Sequence, residues 1–246
     1  MAKSQLPEVA GKGDIDAVRR IIEKGNADLN EESMEDGSSP LLLAAQAGHA
    51  EVVRALADAG ADIDKATDDE ATPLFAASVF GHLEVVRVLL DAGAARDKAR
   101  SDGSTPLFVA AQRGNTEIVQ LLVEVGADKD KARKGGETPL LAAVQNSNVE
   151  VVRCLLDARA DTQKGTLAGD TPLSVAEESP YPEIGHMLVD HGATTQAANV
   201  SHNFTVFAVL AISVGCCVFW GYVMHLAHEI GWWDTPIHHP HDHAEL

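Results

Sequence analysis

Apolar residues in this chain fall into short blocks that recur. Each Ser-Pro-Leu or Thr-Pro-Leu triplet opens a run of Leu, Phe, Ala and Val, which a Gly interrupts in the first three blocks. A second segment follows with apolar residues at i, i+1 and i+4, such as Val52, Val53 and Leu56 or Val85, Val86 and Leu89, and then a polar stretch leads to the next triplet. The triplet prolines are Pro40, Pro73, Pro106, Pro139 and Pro172, and every step between them is 33 residues. A fixed period of this length marks a repeat architecture.

Each block predicts the same elements. Ser39, Thr72, Thr105, Thr138 and Thr171 can N-cap a helix whose first residue is the Pro, where a missing N–H costs nothing. Gly48, Gly81 and Gly114 end that helix, and the second segment makes a helix with one apolar face. Gly60, Gly93, Gly126 and Gly192 stop the second helix in the left-handed conformation; Arg159 stands in that row, and Glu70 in the row of Gly37, Gly103, Gly136 and Gly169. A side chain held there costs on the order of 1 kcal/mol. The unit is helix, turn, helix and an extended finger.

These residues carry a resemblance to the ankyrin repeat family. Its G-x-T-P-L pattern is matched by Gly103, Thr105, Pro106 and Leu107, its G-H by Gly48 with His49 and Gly81 with His82, and its G-A-D by Gly60, Ala61 and Asp62. The resemblance spans residues 5–194 and includes an N-terminal half-matching unit with Gly13, Asp14, Val18 and Gly25. It implies an all-α ankyrin repeat solenoid that binds protein partners and catalyses nothing, His49 and His82 being structural. The family's usual His after T-P-L is here Leu42, Phe75, Phe108, Leu141 or Ser174, so apolar packing must take its place.

The resemblance also puts ligand contacts on the fingers and on the exposed positions of the first helices. In this chain those are Glu35, Asp36, Ser38, Asp68, Asp69, Ser101, Asp102, Ser104, Lys134 and Glu137 on the fingers, and Gln46, Val79, Phe80, Gln112, Arg113, Gln145 and Asn146 on the helices. Phe80 with Val79 is the expected apolar anchor, with the surrounding acids selecting a partner with a basic surface.

A different pattern begins after residue 194. Residues 195–203 read as a linker, and 204–224 as 21 residues without charge or proline, ten of them Phe, Leu, Ile or Val. At about 1.5 Å per residue a helix of this length crosses a ~30 Å hydrocarbon core, so a single transmembrane helix in a lipid bilayer is expected. Ala208, Ala211 and Gly215 share one face of it, of the kind that packs on neighbouring transmembrane subunits. The tail, 231–246, holds His238, His239, His241 and His243, weak candidates for a metal because no fixed ligand geometry accompanies them.

Composition narrows the function. The formal charge is −18 at pH 7, which repels phosphate backbones and excludes nucleic acid as a natural partner. No cofactor motif, nucleophile elbow or phosphate loop appears. The three cysteines give no disulfide framework, and the N-terminus lacks a signal-peptide core, so the repeats are expected on the cytosolic side of a single-pass membrane protein. The leading reading is a membrane-anchored scaffold or adaptor. The alternative is an accessory subunit of a large membrane complex, such as a respiratory or photosynthetic electron-transport assembly.

Overall fold

The structure, a computed structural model, describes residues 5–25, 27–33 and 37–194. Glu35, Asp36, the linker at 195–203, the apolar segment 204–224 with Ala208, Ala211 and Gly215, and the tail with His238, His239, His241 and His243 lie outside the described residues. Among the described residues no helix is long and apolar enough to cross a membrane, and no group of side chains is placed to hold a metal ion.

Twelve helices are present among the described residues, in pairs: α1 Leu6–Lys12 and α2 Ile15–Glu23; α3 Pro40–Ala47 and α4 Ala50–Asp58; α5 Pro73–Phe80 and α6 Leu83–Asp91. The remaining pairs are α7 Pro106–Arg113 and α8 Thr116–Glu124, α9 Pro139–Gln145 and α10 Val149–Asp157, and α11 Pro172–Glu177 with α12 Pro182–Asp190. First helices pack on first helices and second helices on second helices, each touching its counterparts in the adjoining pairs. The result is two layers with one continuous core between them. The half-matching N-terminal segment contributes a full pair, because Leu6 and Ala10 of α1 and Val18 of α2 are fully buried like their counterparts further on.

Local chemistry starts each of the five triplet helices as the sequence predicts. The hydroxyls of Ser39, Thr72, Thr105, Thr138 and Thr171 accept from the N–H three residues on, at 3.1 to 3.2 Å. Gly48 closes α3 at φ 83°, and a Cβ there would also come within 2.7 Å of the His82 ring. The second helices are amphipathic: Val52, Val53 and Leu56 of α4 are buried, while Glu51, Arg54 and Asp58 are exposed.

Residues at the start of the second helices break a local rule to serve the stack. His49, His82, Asn115 and Asn148 occupy N-cap positions yet bond no N–H of their own helix. Instead each reaches the preceding unit. The Nε2–H groups of His49 and His82 donate to the carbonyls of Gly11 at 3.2 Å and Gln46 at 3.0 Å. Asn115 and Asn148 donate their amides to Ser78 and Ala111, each at 2.8 Å. These carbonyls lie in the last turns of first helices, where the N–H four residues on no longer belongs to the helix.

A second set of cross-links joins the connections that follow the second helices. The carboxylates of Asp64, Asp97 and Asp130 accept from the N–H groups of Ala95, Asp128 and Asp161. Lys98, Lys131 and Lys164 reach back to the carbonyls of the same three aspartates. Asp64, Asp97 and Asp130, and Lys98, Lys131 and Lys164, each recur at the 33-residue period, and their role is this stitching; Lys65 pairs instead with Glu32 at 2.8 Å.

The fingers are tight turns, and no β-strand occurs among the described residues. In the second finger Glu70 N–H donates to Thr67 O and Thr67 N–H to Ala71 O, a turn that needs a left-handed residue at position 70, and Glu70 takes it at φ 65°. Neighbouring fingers bond directly: Ser101 N–H to Asp69 O and Lys134 N–H to Asp102 O, each 3.0 Å. Gly103 sits against the next finger so closely that a Cβ would come within 2.9 Å of Lys134 N.

Positive-φ side chains and glycines now separate by environment. Arg159, at φ 60°, occupies the row of Gly93, where an added Cβ would meet open space. Arg159→Gly is expected to raise stability by about 0.5–1 kcal/mol by relieving the backbone alone. Gly93→Ala should cost about 1 kcal/mol and Gly103→Ala, with its clash against the next finger, about 2 kcal/mol or more. Urea unfolding of the three variants checks this, and equal losses at the two glycines would remove the inter-finger contact from the explanation.

Candidate functional site

Fingers on one side and the ends of first helices on the other enclose an open groove of about 620 Å³. Its floor is apolar. Phe75, Phe108, Val109 and Ala142 form a small buried cluster separate from the inter-layer core, with Ala71 and Val79 packed against it. Phe75 and Phe108 stand where the family usually has His. They are 7% and 2% exposed, Leu42 and Leu141 in the same row are also buried, and apolar packing does replace the missing imidazole. Ser174, the last of the row, is exposed and completes a capping box with Thr171.

Phe80 is the one large apolar side chain that the groove leaves open, 54% exposed at the end of α5 and stacked on His82 with ring centroids 6.3 Å apart. Val79 beside it is half-buried. Of the residues expected to contact a partner, Gln46, Asp68, Asp69, Val79, Phe80, Asp102, Gln112 and Arg113 line this groove together. Lys134, Glu137 and Gln145 do not line it. Lys134 is exposed on the fourth finger, Gln145 is exposed one unit further along, and Glu137 is turned onto Arg133. Ser38 and Ser104, expected among the finger contacts, also line the groove but are buried; the Ser104 hydroxyl donates to Asp102 at 3.0 Å.

Two charged groove residues escape the sequence reading, Arg100 and Arg133. Both sit in one row of the 33-residue frame with Thr67 and Thr166, and a cation recurring beside finger acids is the signal that identifies them. Arg100 pairs with Asp69 at 2.6 Å, and Arg133 pairs bidentately with Glu137 while its guanidinium lies 5.4 Å from the centre of the Phe108 ring. A planar guanidinium suits both contacts at once.

This network sets the electrostatics of the finger wall. The hydroxyl of Thr67, with Arg100, holds the Asp69 carboxyl below its ordinary pKa against partial burial. Burial works to raise the pKa of Asp102, but hydrogen bonds from Ser104 and the charges of Arg100 and Arg133 outweigh it and lower the value. The Arg133 hydrogen bond lowers that of Glu137. The acids around the apolar floor are therefore largely matched: three aspartates and three arginines line the groove.

Three copies of the family model described as ankyrin repeats match residues 6–99, 59–133 and 107–199. The chain belongs to the ankyrin repeat family. Its repeats resemble the crystal structure of an ankyrin repeat domain from Acinetobacter baumannii AYE, with 30% identity over 77% of this chain and 98% of that one and a TM-score of 0.70. No curated protein matches the chain. Ankyrin repeats are in general modules that bind protein partners.

The lowered carboxyl pKa values link the finger wall to acid stability. Glu137 titrates in the folded protein below its ordinary 4.5, so its contribution is full above that value and is lost as the pH falls through the folded pKa. Asp69 and Asp102 act in the same direction. The urea midpoint is expected to drop between about pH 5 and about pH 3. Glu137→Gln should be about 1 kcal/mol less stable at neutral pH, with a shallower decline in acid. A decline as steep in the variant as in the parent would separate Glu137 from the acid transition.

Proposed function

We propose that this ankyrin repeat protein is a scaffold that holds a protein partner at a membrane, the partner seated in the groove on Phe80 and Val79 and the chain anchored through residues 204–224. The observation that carries the first part is the open groove itself. An aromatic ring more than half exposed, beside a packed apolar floor and a polar rim, is the composition of a binding hot spot. An anchor of this kind gains from burial by a partner what the fold has left unburied.

The anchor rests on the sequence. Ten Phe, Leu, Ile or Val residues within 204–224 favour insertion by about 3 to 6 kcal/mol, and no ionisable group opposes it. The charge of −18 favours a partner with a basic surface through its long-range field, whereas the balanced charges within the groove govern contact at short range.

Two measurements test the reading. Full-length protein is expected in the membrane pellet after alkaline carbonate extraction, and the double substitution L210R and V214R should move it to the supernatant; recovery of the parent chain in the supernatant would defeat the anchor. Affinity purification of the full chain in mild detergent is expected to bring down a partner in a small particle. Phe80→Ala should weaken that partner's binding roughly 30-fold while leaving the urea midpoint nearly unchanged. Undiminished binding by the Phe80 variant would defeat the groove assignment, and a large particle of fixed stoichiometry would replace the scaffold with an accessory subunit.

A further inference from the structure

The charges within the groove divide into those already satisfied and those left over. Arg100 is held by Asp69, Arg133 by Glu137, and Asp102 lies beside both arginines while accepting from Ser104. Two charged groups remain. Asp68, exposed on the second finger, and Arg113, exposed at the end of α7, make no hydrogen bond or ion pair among the described residues. They stand on opposite walls, one on the finger side and one on the helix side, with Phe80 and Val79 also on the helix side.

The polar rim has a second unfilled capacity. Gln46 and Gln112 occupy equivalent positions 66 residues apart, two units along the frame, and flank Val79 in the same row. Their backbone carbonyls are taken by His82 and Asn148, but their side-chain amides make no hydrogen bond among the described residues. Each amide presents a donor and an acceptor, which is what an extended main chain requires.

We infer that the groove takes an extended segment of a partner protein that carries an apolar side chain between a basic residue and an acidic one, the basic residue paired with Asp68 and the acidic residue with Arg113. The inference rests on the groove being the binding site. The matched pairs on the finger wall cannot supply this selection, because each of their charges already has a partner. A uniformly basic segment would leave Arg113 facing a like charge, and a uniformly acidic one would do the same to Asp68. The two lone charges therefore fix the direction of the segment, and the glutamine amides hold its backbone.

The test is selection of a displayed random-peptide library on the full chain in detergent micelles, with the parent, the Phe80→Ala variant, Asp68→Lys and Arg113→Glu. The parent is expected to enrich peptides with an apolar residue flanked on one side by Lys or Arg and on the other by Asp or Glu, all lost on Phe80→Ala. Asp68→Lys should convert only the basic preference to acidic, and Arg113→Glu only the acidic preference to basic. Each substitution should weaken the parent's selected peptide by roughly tenfold, with the matching charge reversal in the peptide restoring it. Enriched peptides that need Phe80 but keep their charge preferences in both variants would overturn the inference and leave the groove assignment standing. Absence of any peptide that depends on Phe80 would overturn both. Since both substituted side chains are exposed and unpaired, unchanged urea midpoints confirm that the variants are folded.

Discussion

A pair of helices of six to nine residues joined by a tight turn buries too little surface to hold itself together, and such helices are marginal in water on their own. In this protein each pair is completed by its neighbours. Leu56, Leu89, Leu122 and Leu155, one from each successive second helix, are wholly buried in a core that runs through every unit. Stability is then approximately a sum of interfaces, each made by residues of two adjoining units. The polar groups follow the same rule. His49, His82, Asn115 and Asn148 forgo the cap of their own helix to satisfy carbonyls of the preceding one, and the aspartates and lysines of the connections do likewise. No buried side-chain nitrogen or oxygen among the described residues is left without a partner.

The groove is a consequence of that stacking. Because each unit adds to the last with the same contacts, residues 33 apart in sequence come to stand side by side, and a row of the frame becomes a line on the surface. Rows that make the interface are nearly uniform. The row of Ala47, Phe80, Arg113 and Asn146 is not: it passes from a methyl group to an aromatic ring, a guanidinium and an amide. A row that carries no interface energy is free to differ, and the differences give the surface its chemical pattern.

Replacement of the family's usual His by Leu or Phe deepens this distinction. Phe75 and Phe108 build a second apolar cluster under the groove, and the face of Phe108 then receives Arg133. The floor is thereby fixed by burial and the finger wall by matched ion pairs. What remains mobile in charge is confined to a few exposed side chains, which is the arrangement expected where a rigid scaffold presents a small number of selective contacts.

The sequence determined the repeat, its period, the helix starts and the helix stops, because capping hydroxyls, first-turn prolines and left-handed glycines act within a few residues of one another. It also located most of the groove, since Asp68, Val79, Phe80, Gln112 and Arg113 could be placed by their row in the frame. Which charges were free could not be read in that way. Arg100 and Asp69 lie 31 residues apart, Ser38 and Ser104 are buried, and Glu137 is turned onto Arg133. Pairing and burial of this kind depend on where neighbouring units place their side chains, and only the stacked structure sets those distances.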